Sequence, residues 1–108
     1  MIIVFKLIIP NNYSSLTIWP LIFIKNEYLK KDVKLLNHEK IHLKQQKELL
    51  WIFFFIWYSV EYLILFIKHK NHNTTYKSIC FEKESYLNEK NLSYLKHRKH
   101  YSFLKHLQ

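Results

Sequence analysis

The sequence predicts an α+β domain: an N-terminal β-hairpin followed by about three helices, with a very apolar central helix. Three observations carry this. Residues 2–9 and 16–25 are both rich in Ile, Val, Phe, Leu and Trp, and they flank Pro10-Asn11-Asn12-Tyr13-Ser14-Ser15, a turn by composition. From Asp32 onward, Val33, Leu36, Leu43, Leu49 and Leu50 recur at near-helical spacing. Residues 49–67 then form an apolar block interrupted only by Glu61.

With 108 residues the chain is one domain of modest core. Its 49% hydrophobic and 18% aromatic content, against 23% charged, excludes disorder by composition. We expect a hairpin over 1–25, an extended helix over 32–67 running into the apolar block, a further helix over 78–96 and a basic tail over 97–108. Pro20 lacks a ladder donor, so it makes the second run an edge strand or splits it. An exposed edge is where an extended peptide adds as another strand. The run Met1 to Ile9 is short, carries Lys6 and meets Pro10 in place of a small-residue cleavage site, so it reads as mature protein and not as a signal peptide. Residues 68–77 are polar and aperiodic, which reads as a loop, with His69 and His72 solvated in it.

The net charge of +9 suits an acidic partner, nucleic acid or an anionic lipid surface. No recognisable nucleic-acid module accompanies it, so the membrane surface is the preferred of the two. A single cysteine, Cys80, excludes an internal disulfide and a cysteine-rich metal site, leaving His and carboxylates as ligands.

The segment that carries chemistry is His38-Glu39-Lys40-Ile41-His42, an HExxH pattern inside the predicted helix. Positions 38 and 42 lie one turn apart on one face, so both imidazoles can point at one ion. Glu39, one position round, is placed to take a proton from an attacking water and return it to a leaving amine. Random placement in a chain with 7 His gives the pattern only about 3% of the time, so accident is the poorer explanation.

Phe81-Glu82-Lys83-Glu84-Ser85-Tyr86 resembles the second motif of the gluzincin branch of zincin metallopeptidases, in which a glutamate on a later helix completes a zinc site. That branch includes membrane-embedded prenyl-protein proteases. The resemblance implies Glu82 as third ligand, with Ser85 at the motif's small position and Tyr86 where the branch usually has Asp. Glu84 is the fallback ligand, and Glu89, further along the face of Glu82, is a candidate to orient a histidine. The order of hairpin, HExxH helix, aromatic apolar block and glutamate helix is also similar to a family of small uncharacterised flavobacterial HExxH proteins. The implied activity is zinc-dependent hydrolysis of a peptide or protein substrate by a membrane-associated or cytoplasmic protein. The alternative is a small non-enzymatic membrane-associated scaffold, or an inactive zincin relic.

The motif constrains the apolar block. A single crossing of the bilayer by residues 49–67 would carry the chain about 30 Å and leave HEKIH and Glu82 on opposite faces. The site therefore requires that the block be a buried core element, or a re-entrant or interfacial segment broken near Tyr58-Ser59-Val60-Glu61, with Glu61 paired to a lysine of the neighbouring helix or the tail.

Overall fold

The chain is α+β: a three-stranded sheet at the N-terminus, then a series of helices, one long and apolar. The structure, a computed structural model, describes residues 2–4 and 13–107. Strands β1 (Ile2–Val4), β2 (Ser15–Ile18) and β3 (Leu21–Ile24) are followed by helices α1 (Val33–Glu48), α2 (Ile52–His69), α3 (His72–Ser78), α4 (Cys80–Asn88) and α5 (Tyr94–His97), with 3₁₀ turns at Glu27–Lys31 and Ser102–His106.

The strand order is β1-β3-β2. The hairpin is β2 against β3, antiparallel, from Ser15↔Ile24 to Ile18↔Leu21, turning at the cis Trp19-Pro20 bond. Among the described residues, the two runs expected to form a hairpin do not pair antiparallel. Pro20 splits the second run, and its halves fold on each other because Pro, without an N–H, belongs in the turn. Ile2–Val4 adds to β3 in parallel. The expected turn at Pro10–Asn12 lies outside the described residues. Ile22 and Ile24 of β3 point inward and pack with Leu29 and Leu36.

Asp32 starts α1, its carboxylate accepting the backbone N–H of Leu35 at 3.0 Å. The buried face of this helix is polar: Asn37, His38, Glu39, His42, Gln45 and Gln46 are all inside. Such a face is stable only if each group finds a partner. That requirement governs the rest of the architecture.

The continuous helix expected over 32–67 is broken after Glu48. Leu50 and Trp51 have φ of 54° and 42°. A left-handed conformation costs a non-glycine residue roughly 1–2 kcal/mol, and in a chain with no glycine two bulky residues bear it. Helix α2 runs unbroken through Tyr58–Glu61, so the break expected there of a re-entrant or interfacial segment is absent. Its inner face, Phe54 and Leu65 with Trp57, Tyr58 and Tyr62, packs on Ile79, Cys80, Phe81 and Phe103.

Residues 68–77 are mostly helical, not loop. Lys70 closes α2 in the left-handed conformation, and the Asn71 side chain caps α3 by accepting from Thr74 N at 3.0 Å. Helix α4 then packs along α1, and its Phe81 reaches Phe54 of α2 with ring centroids 4.5 Å apart. The pairing of Glu61 with a lysine gives way to a cap: its carboxylate accepts from the backbone N of Cys80 at 3.0 Å and from Trp57 Nε1 at 3.2 Å. Cys80 opens α4, whose own N-cap residue Ile79 offers no side-chain acceptor, so a carboxylate there meets an otherwise open N–H. The helix expected over 78–96 ends at Asn88. The basic tail is not simply solvated, since Phe103 is fully buried and the Arg98 side chain lies inside.

Candidate metal centre

Helix α1 supplies His38 and His42 at one-turn spacing, their ring centroids 4.8 Å apart. Helix α4 supplies Glu82. Its Oε1 lies 3.0 Å from His42 Nε2 and 3.3 Å from His38 Nε2, and one ligand atom from each of the three residues lies within 4.8 Å of the others. All three residues are buried.

The far side of each ligand is also held. Gln45 donates its amide to Phe81 O (3.0 Å) and Glu84 Oε1 (2.9 Å), so its oxygen is the atom facing His42 Nδ1 at 2.8 Å. His42 Nδ1 must therefore donate, which leaves the lone pair on Nε2. Glu89 Oε2 stands 2.7 Å from His38 Nδ1 and fixes that ring the same way. Asn37 pins the end of α4, donating to the carbonyl of Glu89 at 2.8 Å and to that of Asn91 at 3.0 Å. Tyr58 of α2 donates to Glu82 Oε2 at 2.8 Å, turning Oε1 to the histidines.

The consequence is electrostatic. Two imidazole lone pairs and a carboxylate oxygen converge with no donor of their own among them, and they repel unless a cation lies between. A proton is the minimal cation. Burial opposes charge on His42, but the adjacent Glu82 carboxylate outweighs it and raises the imidazole pKa to about 9. Burial likewise pushes the Glu82 carboxyl up, and His42 and His38 outweigh that, holding it well below the ordinary carboxylate value. A divalent metal satisfies the same three acceptors. The donor set of two imidazoles and one carboxylate, each backed by a hydrogen-bond partner, fits zinc and other imidazole-binding metals.

Glu39 lines the same cavity as His42 and Glu82, a space of about 270 Å³ walled by Tyr13, Phe54, Phe55, Tyr58, Tyr62 and Tyr76. Its two oxygens accept from Ser15 Oγ (2.9 Å) and Thr17 Oγ1 (2.5 Å) of β2. The edge strand thus fixes the carboxylate beside the three converging acceptors. The same strand is clamped further on by Gln46, which donates to Thr17 O at 2.8 Å and accepts from Trp19 N at 2.6 Å. Part of the edge expected to receive a peptide is therefore occupied by the Gln46 side chain, and Ser15, Leu16 and Thr17 of the strand border the cavity.

No family model, curated protein or solved structure matches the chain.

Of the residues singled out in the sequence, His38, His42 and Glu82 meet at one point, Glu39 borders their cavity, and Glu89 orients His38. Ser85 sits under the pair, its Oγ 3.4 Å from His42 Nδ1 and from His38 O, which explains the need for a small residue. Tyr86 lies edge-on to His38 with centroids 4.6 Å apart. The fallback ligand Glu84 does not reach the histidines. It is buried against Arg98, Tyr94 and Gln45, and these bonds outweigh the effect of burial and lower its pKa. His72 does not stand free in a loop, for it bonds the hydroxyls of Tyr13 and Tyr62, both at 2.8 Å. Cys80 is buried, and burial with the neighbouring Glu61 carboxylate pushes its thiol pKa up, away from a reactive thiolate. Gln45, Tyr58 and Arg98 are the residues that sequence reasoning missed.

Proposed function

We propose that this protein is a zinc-dependent metallopeptidase, with His38, His42 and Glu82 holding the metal and Glu39 as general base. The observation that carries the reading is the convergence of three backed, buried acceptors beside a fourth buried carboxylate. Zinc bound there would supply Lewis acidity, acidifying water and polarising a scissile carbonyl. The chain's own residues do the rest. Glu39, held by Ser15 and Thr17, takes the proton of the attacking water and passes it to the leaving amine. Those two donors leave part of the carboxylate's acceptor capacity open, since two oxygens offer about four lone-pair sites. Gln45 and Glu89 keep the imidazole Nε2 atoms aimed at one place, and Tyr58 keeps Glu82 turned to them. The aromatic walls of the cavity favour a substrate with an apolar side chain next to the cleaved bond, laid along the Ser15 end of β2.

The test compares Glu39→Gln with wild type after zinc loading, reading metal content and cleavage of a peptide library together. The proposal expects unchanged zinc and lost cleavage. If wild type binds zinc and cleaves nothing in the library, the alternative of an inactive relic or a scaffold replaces it.

A further inference from the structure

Helix α2 has two faces of opposite use. One is the aromatic wall of the cavity. The other carries Ile52, Phe53, Ile56, Val60, Leu63, Ile64 and Ile67, all large and all exposed, with Leu63 at 62% and Ile67 at 74%. Positions 52, 56, 60, 63 and 67 recur at helical spacing, and Ser59 is the sole polar side chain among the exposed residues from 52 to 67. Leu50 and Trp51, also exposed, extend the patch beyond the N-terminus of the helix. A contiguous apolar face of this size marks an interaction surface.

The charge distribution names its occupant. Of the 8 acidic residues, only Glu27 and Asp32 are exposed; the others are taken up by the metal centre, the Arg98 cluster and the cap of α4. Among the described residues no lysine is buried, and Lys47, Lys68 and Lys70, all exposed, lie at or just beyond the ends of α2. Among the described residues the exposed charge is therefore almost wholly cationic around an apolar stripe. We infer that α2 beds this face into an anionic lipid bilayer, lying in the plane of the surface with lysines on the headgroups. A crossing does not fit. The inner face of α2 carries Tyr58, Glu61 and Tyr62 and packs against α3 and α4, and α3 exposes Asn73, Thr74 and Lys77. Spanning would drag those polar groups into hydrocarbon.

His42 packs on Phe54 with centroids 6.3 Å apart, so the metal centre stands about one helix diameter, ~10 Å, above the membrane contact. Resting on the peptidase reading, this directs the site to polypeptide segments close to a membrane surface. The membrane contact itself does not depend on that reading.

The experiment is co-sedimentation of the full chain with vesicles of phosphatidylcholine alone or mixed with phosphatidylserine. We expect binding to the mixed vesicles that weakens with salt, and at least about tenfold weaker partition for Ile56→Gln/Leu63→Gln, which removes exposed apolar area without touching the core. Near-UV circular dichroism checks that this variant is folded, and Lys68→Gln/Lys70→Gln provides a second test by reducing binding to the anionic vesicles. His38→Ala and Glu39→Gln should bind vesicles as wild type does, which separates this inference from the catalytic one. No binding to either vesicle, a stable dimer that Ile56→Gln/Leu63→Gln dissolves, or an alkali-resistant, protease-protected α2 would each overturn it.

Discussion

Glu82 meets His42 across 40 residues of sequence, its Oε1 3.0 Å from the imidazole Nε2. The two residues come from different helices and share no local reason to touch, so the contact is a product of the whole fold. Glu82→Ala should reduce zinc affinity by more than the roughly 10–100-fold typical of losing an outer partner. Glu84→Ala, two residues on, should leave the ligand set in place. Competition titration with a zinc chelator measures both, and equal losses would reassign the third ligand.

The outer partners make a graded prediction. Glu89 holds His38 Nδ1 at 2.7 Å, while Asn37 ties α1 to the backbone carbonyls around it. Glu89→Ala therefore removes the orienting carboxylate and keeps the helix contact. Zinc affinity should fall about 10–100-fold with little change in thermal stability. A variant that unfolds, or one that binds zinc as wild type does, would contradict the orienting role.

The sequence made this site partly legible, and the reasons are specific. HEKIH places two imidazoles on one helical face wherever the helix lies, so that pair needed no tertiary information. Glu82 could be singled out from the Phe81–Tyr86 pattern, but its arrival beside His42 depends on the reversal at Leu50 and Trp51, where no Gly or Pro marks a turn. The division of the second strand at Pro20 was an open alternative, whereas the pairing of β2 with β3 depended on which partner the halves chose. Asn71 three residues before Thr74 is a capping signal, easily lost in a polar stretch that also looks like loop. Arg98 was hidden by its surroundings, because one buried guanidinium among basic neighbours has no composition of its own.

That guanidinium links the C-terminal segment to the candidate metal centre. Arg98 reaches Glu48 through Nη1 at 2.8 Å and Nη2 at 3.0 Å, and it bonds Glu84, which bonds Gln45, which orients His42. All three charged side chains are essentially buried. Arg98→Met would strand two carboxylates and should destabilise the fold by about 3–5 kcal/mol in urea denaturation. Arg98→Lys should rescue only part of this, since an ammonium cannot fork between two carboxylates. The Glu84 pKa is lowered on folding, so its contribution is present above the unfolded value of 4.5 and disappears as pH falls through the folded value. Acid should therefore weaken wild type more steeply than Arg98→Met.

Protons compete with metal at His42. Its folded pKa of about 9, against 6.5 for the free side chain, means that the metal-free protein carries this imidazole charged at pH 7. The stabilisation it gives the metal-free fold is full below 6.5 and is lost as pH rises through about 9. Zinc binding must expel the proton, so affinity should rise with pH up to about 9 and then level. Calorimetry at pH 7 in buffers of different ionisation enthalpy should show a proton released from His42 on binding, and His42→Ala should abolish that release. Buffer-independent heats in wild type would contradict the protonated starting state.

The most direct measurement is X-ray absorption at the zinc edge of the loaded protein. Zinc held by His38, His42 and Glu82 should give one ion per chain with two imidazole nitrogens at about 2.0–2.1 Å and carboxylate oxygen at about 2.0–2.2 Å, falling to one imidazole in His42→Ala. Failure to bind zinc stoichiometrically, a sulfur at about 2.3 Å from Cys80, or an imidazole count unchanged in His42→Ala would contradict the site.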